Sequence, residues 1–221
     1  VAGSYQALQK DLLSGAVDVT LVVGSSMGEF SSCAWDDRAQ PRECLIQVDV
    51  DPAELGRNFP VQLPVCGDAR AALAAIADAL EGKPLPRAGF NTVEKLRAEL
   101  PPCEFAELCS DARAPLAPQR LMHELRAAMP DDGRLFVDIG NAMLWGAHYF
   151  EIRQPGTYFI DLGLASMGSA VAGVIGAKLA DPSRPAVALV GDSAFAMNGM
   201  EVHTAAEQGL NAVWGVLNNA G

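Results

Sequence analysis

Five short runs in the 221-residue chain share one build: apolar, rich in β-branched residues, and closed by glycine or a polar residue. They are VDVTLVVG at 17–24, CLIQVDVDP at 44–52, RLFVDIG at 134–140, PAVALVGD at 185–192 and NAVWGVLNN at 211–219. Such runs suit strands buried on both faces, as in a parallel sheet covered by helices. Helical spacing lies between them: YQALQKDLLS at 5–14, DARAALAAIADALEG at 68–82 with Asp near its start and Gly at its end, LMHELRAAMP at 121–130, the small-residue stretch after Gly168, and GMEVHTAAEQG at 199–209. Strand and helix alternate, which predicts an α/β class built as two parallel-sheet, three-layer α/β units.

Between the units the texture changes. From Lys83 to Pro118 there are prolines at 84, 86, 101, 102, 115 and 118 around one short helical pattern, NTVEKLRAEL. This reads as a connection, so the expected domains are 1–82 and 119–221, joined by a linker at 83–118. Both units look incomplete. The first offers two convincing strands, fewer than a free-standing parallel sheet usually has, and the last strand runs into the terminus.

Charge narrows the function. With 16 basic and 27 acidic residues the net charge is -11, which repels a polyphosphate backbone, so nucleic acid is not an expected partner. GLASMGSAVAGVIGAKLA at 163–180 is long enough to suggest a membrane span, but Gly, Ala and Ser dominate it and Lys178 interrupts it. A closely packed buried helix of a soluble protein is expected, without a membrane partner. The five cysteines, Cys33, Cys44, Cys66, Cys103 and Cys109, are odd in number and scattered. They are expected to be reduced and mostly buried thiols of a cytoplasmic protein.

The chemistry lies at the strand tips. PAVALVGD ends in Gly191 and Asp192, followed by Ser193, and the final strand ends in Asn218 and Asn219. In an open α/β sheet the tips of neighbouring parallel strands face one crevice at the carboxyl edge. A carboxylate and an amide oxygen there make a poor transition-metal site but a good partial shell for Mg²⁺, which completes its octahedron with phosphate and water. Gly191 lets the backbone approach an anion, and the next helix start offers N–H groups to a phosphate. A diphosphate ligand fits this constellation.

GDSAFAMNGMEVHTAAEQGLNAVWGVLNN resembles the thiamine-diphosphate signature, a Gly-Asp-Gly start and an Asn-Asn end about two dozen residues apart; 24 residues, positions 194–217, separate Ser193 from Asn218. Ser193 departs from the usual glycine but keeps the backbone N–H. RLFVDIGNAMLWGAHYF and YFIDLGLASMGSAVAGVIGAKLA resemble the segments before that motif in acetolactate synthase and its relatives. VDVTLVVGSSMGE and CLIQVDVDPAELGRNFPVQLPVCGDA are similar to the latter half of the same family's central domain. The resemblance covers nearly the whole chain.

It implies a thiamine-diphosphate- and Mg²⁺-dependent enzyme that decarboxylates or joins 2-oxo acids and aldehydes. Asp192, Asn219 and the backbone carbonyl of Gly221 would hold the metal. Gly140, Asn141 and Ala142 in the IGNAM turn, with Gly191, Ser193 and Ala194, would receive the diphosphate. Met167 would hold the cofactor bent, and the Ala165 carbonyl would accept from its pyrimidine amino group. The activating glutamate would come from a pyrimidine-binding domain of a neighbouring subunit, which implies a homodimer or homotetramer and an inactive isolated fragment. Glu201 and His203 are read as part of a structural face. The family's flavin pattern, Gly-x-Arg, is replaced by Gly24-Ser25-Ser26, so FAD is admitted but not favoured, and Asp49 and Asp51 are read as strand-end and turn residues.

Two other functions fit parts of the pattern. NNAG after an apolar strand also occurs in short-chain NAD(P) dehydrogenases, but residues 135–170 hold no TGxxxGxG. A binding or assembly module that kept the fold and lost the chemistry would have no reason to retain both Asp192 and Asn219.

Overall fold

The structure, a computed structural model, describes residues 17–29, 31–84, 94, 98 and 105–219. The chain divides into two compact units, Val1–Pro102 and Cys103–Gly221. The helix expected over 5–14 lies outside the described residues. So does NTVEKLRAEL apart from Glu94 and Ala98, which are helical. Residues 105–118, read as the end of a linker, group with the second unit.

The first unit holds a parallel sheet of β1 (Val19–Val23), β2 (Cys44–Asp49) and β3 (Leu63–Cys66) in that spatial order. β3 corrects the expectation of two strands. It has only four residues and contains Pro64, which an edge strand tolerates and which hides it from a pattern search. Gln47 of β2, 2% exposed, ties the loops above the sheet together. Its Nε2 donates to the carbonyls of Ser25 and Glu54, and its Oε1 accepts from Gly56 N–H. Helix α1 (Ala69–Leu80) starts where Asp68 accepts from Ala71 N–H at 2.9 Å, and Gly82 follows its end with φ +71°.

The second unit runs α2 (Pro118–Ala128), β4 (Arg134–Val137), α3 (Asn141–Tyr149), β5 (Tyr158–Ile160), α4 (Ser169–Ala180), β6 (Ala186–Gly191), α5 (Asp192–Asn198), α6 (Glu201–Glu207) and β7 (Val213–Leu217). Its four strands are all parallel, in the order β5-β4-β6-β7. Alternate residues face opposite layers. Leu135, Val137 and Leu189 pack with Met122, Met129, Ala142 and Phe150 on one side. Ala186, Ala188 and Val190 pack with Val171, Val174, Ile175 and Ala205 on the other. This unit is therefore three-layered, and its central strands β4 and β6 are mostly apolar because both their faces are covered. The helix expected over 199–209 is α6, a shorter α5 precedes it directly after β6, and the IGNAM turn is the first turn of α3. β5, three residues long, carries no pattern of its own.

α4 packs five residues into the core, among them Lys178, whose Nζ donates to the carbonyls of Pro182 and Arg184. Its charge thus ends in the loop that follows. Among the described residues no helix is long and apolar enough to cross a membrane. The expectation of mostly buried thiols is corrected: Cys66 is exposed, and Cys33, Cys44 and Cys109 are half-buried.

Truncating Leu135, fully buried between β4's neighbours, removes packing that the rigid layers cannot refill. Leu135→Ala is expected to cost about 2–5 kcal/mol in urea unfolding. Tyr158 gives a pH test. Its buried hydroxyl has no hydrogen-bond partner among the described residues, and it occupies the space that Gly146 of α3 leaves open. Burial pushes it from 10.0 up to about 12. The unfolded chain releases this proton first, so folding stability falls as pH rises from 10.0 to about 12 and is unaffected below that window. Tyr158→Phe is expected to abolish that fall while changing stability at pH ~7 by less than about 1 kcal/mol. Parallel unfolding curves for both proteins at neutral and alkaline pH check it.

Candidate functional site

The registers of β4, β6 and β7 bring their carboxyl ends to one edge. Gly191 pairs with Leu217, so Asp192 and Asn218 stand one residue beyond the last pair on adjacent strands. Asp138, one residue past β4, donates its N–H to Leu189 O at 2.9 Å. The connection from β4 leads to β5 on one side, and that from β6 leads to β7 on the other. The gap between β4 and β6 is therefore a topological switch point, where open α/β sheets form their crevice.

A cleft of about 830 Å³ opens there. It gathers most of the residues expected from the sequence: Gly140, Asn141 and Ala142 from the start of α3, Met167 from the turn before α4, Gly191, Asp192, Ser193 and Ala194 from the start of α5, and Asn219 after β7. Ala165 does not line it; it lies two residues before Met167 with φ +53°, a left-handed conformation uncommon outside glycine. Gly221 lies outside the described residues. Glu201 and His203 are exposed and do not line the cleft. Glu201 accepts from Thr204 Oγ1, and His203 stands 4.0 Å from Glu207.

Local backbone shape explains why these groups face the opening. Gly140 has φ +103° and ψ −148°, a region open essentially to glycine alone, and it turns the chain from β4 into α3. A Cβ at Gly140 or Gly191 would meet nothing within 4 Å. The backbone there borders open space, as a cradle for a bulky anion requires. No side chain caps the first turn of α3; the Met143 N–H donates to the Gly140 carbonyl at 3.1 Å, which leaves the N–H groups ahead of it, at Asn141 and Ala142, to face a ligand. Asp192 accepts the Ser193 N–H at 2.6 Å and faces its hydroxyl at 3.4 Å.

This donor set fits a Mg²⁺-diphosphate better than a metal held by protein alone. Among the described residues no three His, Cys, Asp or Glu side chains come together as metal ligands. A cation at Asp192 would need amide, backbone and phosphate oxygens to fill its shell, which is the habit of Mg²⁺.

The structure adds residues that the sequence did not single out. Trp145, one helical turn after Asn141, lines the cleft with Leu121 of α2 and with Pro115, Leu116 and Pro118. The spacing of Asn141 and Trp145 on one helix face is a legible signal, whereas the proline-rich segment had offered none. Asp138 is fully buried. Its Oδ1 accepts the N–H of Ile139 and of Gly168, and its Oδ2 that of Ala170, each at 2.9 Å. On the other side of Gly168, the side-chain amide of Asn198 donates to the Gly168 carbonyl at 3.1 Å.

Comparison with known proteins agrees with this geometry. Residues 138–221 match the model of the thiamine pyrophosphate enzyme C-terminal TPP binding domain, and residues 2–76 match that of the central domain of the same enzymes. The chain is 32% identical to the putative thiamine pyrophosphate-containing protein YdaP of Bacillus subtilis, over 98% of this chain and 35% of that protein. It is 29% identical to a probable acetolactate synthase large subunit of Methanocaldococcus jannaschii, over 91% of this chain and 34% of that one. It is also 29% identical to the sulfoacetaldehyde acetyltransferase of Castellaniella defragrans, over 98% and 39%. The chain thus spans about a third of the length of these relatives. With both matched domains in family order and the cleft built at the matched C-terminal domain, the chain belongs to the thiamine pyrophosphate enzymes, related to acetolactate synthase.

Proposed function

We propose that this chain supplies the diphosphate- and magnesium-holding part of a thiamine-diphosphate-dependent 2-oxo acid decarboxylase or carboligase. One observation carries the reading: Asp192, Asn219, the starts of α3 and α5, and Met167 converge on a single cleft. The bound cofactor would supply an electron sink for making or breaking a carbon–carbon bond. The relatives include a synthase, an acetyltransferase and a probable 2-ketoarginine decarboxylase of Pseudomonas aeruginosa, names that share this bond chemistry.

The chain's residues bind and orient. Asp192 gives Mg²⁺ its charged oxygen, Asn219 an amide oxygen and Gly221 a backbone carbonyl. The backbone at Gly140, Asn141 and Ala142, and at Gly191, Ser193 and Ala194, holds the diphosphate. In the structure the Ser193 N–H is engaged by Asp192. A cation that turns the carboxylate toward itself would free that N–H for a phosphate oxygen, so metal and diphosphate would bind cooperatively. Met167 would support the bound cofactor from the turn before α4, and the Ala165 carbonyl would accept from its pyrimidine amino group. Substrate would be a 2-oxo acid or aldehyde. The activating glutamate would come from a neighbouring subunit of a cytoplasmic homodimer or homotetramer, with FAD admitted but not favoured.

In the full-length protein, Asp192→Ala is expected to weaken Mg²⁺-dependent thiamine diphosphate binding by at least about tenfold, because it removes the charged ligand. Unchanged affinity by calorimetry would refute the site. Met167→Ala is expected to lower turnover by about tenfold or more while affinity changes less, since orientation rather than anchoring is lost. Collapse of affinity at unchanged turnover would contradict that role.

A further inference from the structure

We propose that Asp138 and Asn198 are positioning residues that clamp the Gly168 peptide from both sides and thereby set the position of Met167. The inference rests on the cofactor-orienting role given to Met167 above. Met167 is 37% exposed, in a turn where Leu164 is 88% exposed and Ala165 has φ +53°. Packing alone holds such a side chain poorly, so its place is set by the backbone that carries it. That backbone is pinned at the next residue. Gly168 gives its N–H to Asp138 Oδ1 at 2.9 Å, and its carbonyl takes the Asn198 amide at 3.1 Å.

The two clamping residues come from the elements that line the rest of the cleft. Asp138 stands at the tip of β4, two residues before Gly140. Asn198 ends α5, the helix that begins at Asp192. The clamp therefore ties the turn bearing Met167 to both elements proposed to hold the diphosphate. Gly168 is fitted to it: its φ is +89°, and a Cβ there would come within 2.8 Å of Asn198 Nδ2. A buried carboxylate is expensive unless well bonded, and Asp138 is kept by three backbone N–H groups, two of them at the start of α4. A hydrophobic tip on β4 would pack as well and would not hold the turn.

The test uses full-length wild type, Asn198→Ala, Asn198→Asp and Asp138→Asn, with thiamine diphosphate and Mg²⁺ as the probes. Three quantities are read: calorimetric affinity for the cofactor, the rate at which the bound cofactor exchanges its thiazolium proton with D₂O, and amide hydrogen exchange at residues 168–170 in cofactor-free protein. The Asn198 side chain lies at the surface, so its variants keep the test sound where Asp138→Asn fails to fold. Asn198→Ala and Asn198→Asp, neither with a donor for the carbonyl, are expected to slow proton exchange about tenfold or more and to speed amide exchange by about as much, with affinity within about threefold of wild type. Proton exchange at the wild-type rate, affinity lost in proportion to it, or unchanged amide protection would each overturn the inference alone. A wild type that binds no thiamine diphosphate would overturn the proposed function and this inference together.

Discussion

Parallel pairing of β4, β6 and β7 is the constraint on which the second unit depends. Leu135, Ala188, Leu189 and Val190 are at most 2% exposed, and helices cover both faces of the sheet. Apart from Arg134, which opens β4 and reaches Ala177 O and Asp181, polar side chains therefore collect at the tips. In parallel register the tips share one edge. Asp138, Asp192, Asn218 and Asn219 share this edge for this reason, although 81 positions separate the first from the last. The reversal of connection direction between β4 and β6 then keeps helices from closing the edge over.

The same edge explains the backbone. Gly140 and Gly168 adopt φ of +103° and +89°, each turning the chain sharply from an element that reaches the edge to one that leaves it. Glycine reaches such φ without steric cost, so it is the surrounding bonds that select one conformation from its many. Asp138 supplies these bonds to the second turn and spans the sheet tip and the start of α4 in doing so. A net hydrogen bond to a charged group contributes about 1.5–3 kcal/mol, so three of them fix this junction more firmly than the weak propensities of a small-residue turn could.

The first unit is organised by a neutral group instead. Gln47, buried in the middle of β2, serves three backbone groups in the loops above its sheet. The loop at Gly24-Ser25-Ser26 is held partly through it and partly by Asn58, whose amide donates to Ser26 O at 2.7 Å. Where the flavin pattern would place an arginine, this chain has loop carbonyls already engaged by its own side chains.

Residue pattern alone determined the α/β class, five of the seven strands among the described residues, and the paired polar tips that line the cleft, because burial on two faces and a glycine or polar stop are local properties of a run. It also singled out Asp192 and Asn219 by the spacing of a known signature and the α3 start by resemblance, and all three line the one cleft. Pattern did not reveal β3 or β5, which are too short to carry a period. It placed the helix over 199–209 but did not mark the separate α5 before it, which ends at Gly199, where a Cβ would lie 2.7 Å from the Phe195 carbonyl oxygen. Nor did it show Pro115, Leu116 and Trp145 as walls of the cleft. The roles of Asp138 and Asn198 were decided by tertiary structure alone. Each reaches Gly168 across 30 positions of sequence, and a hydrogen bond between residues so far apart leaves no local trace in composition, period or spacing.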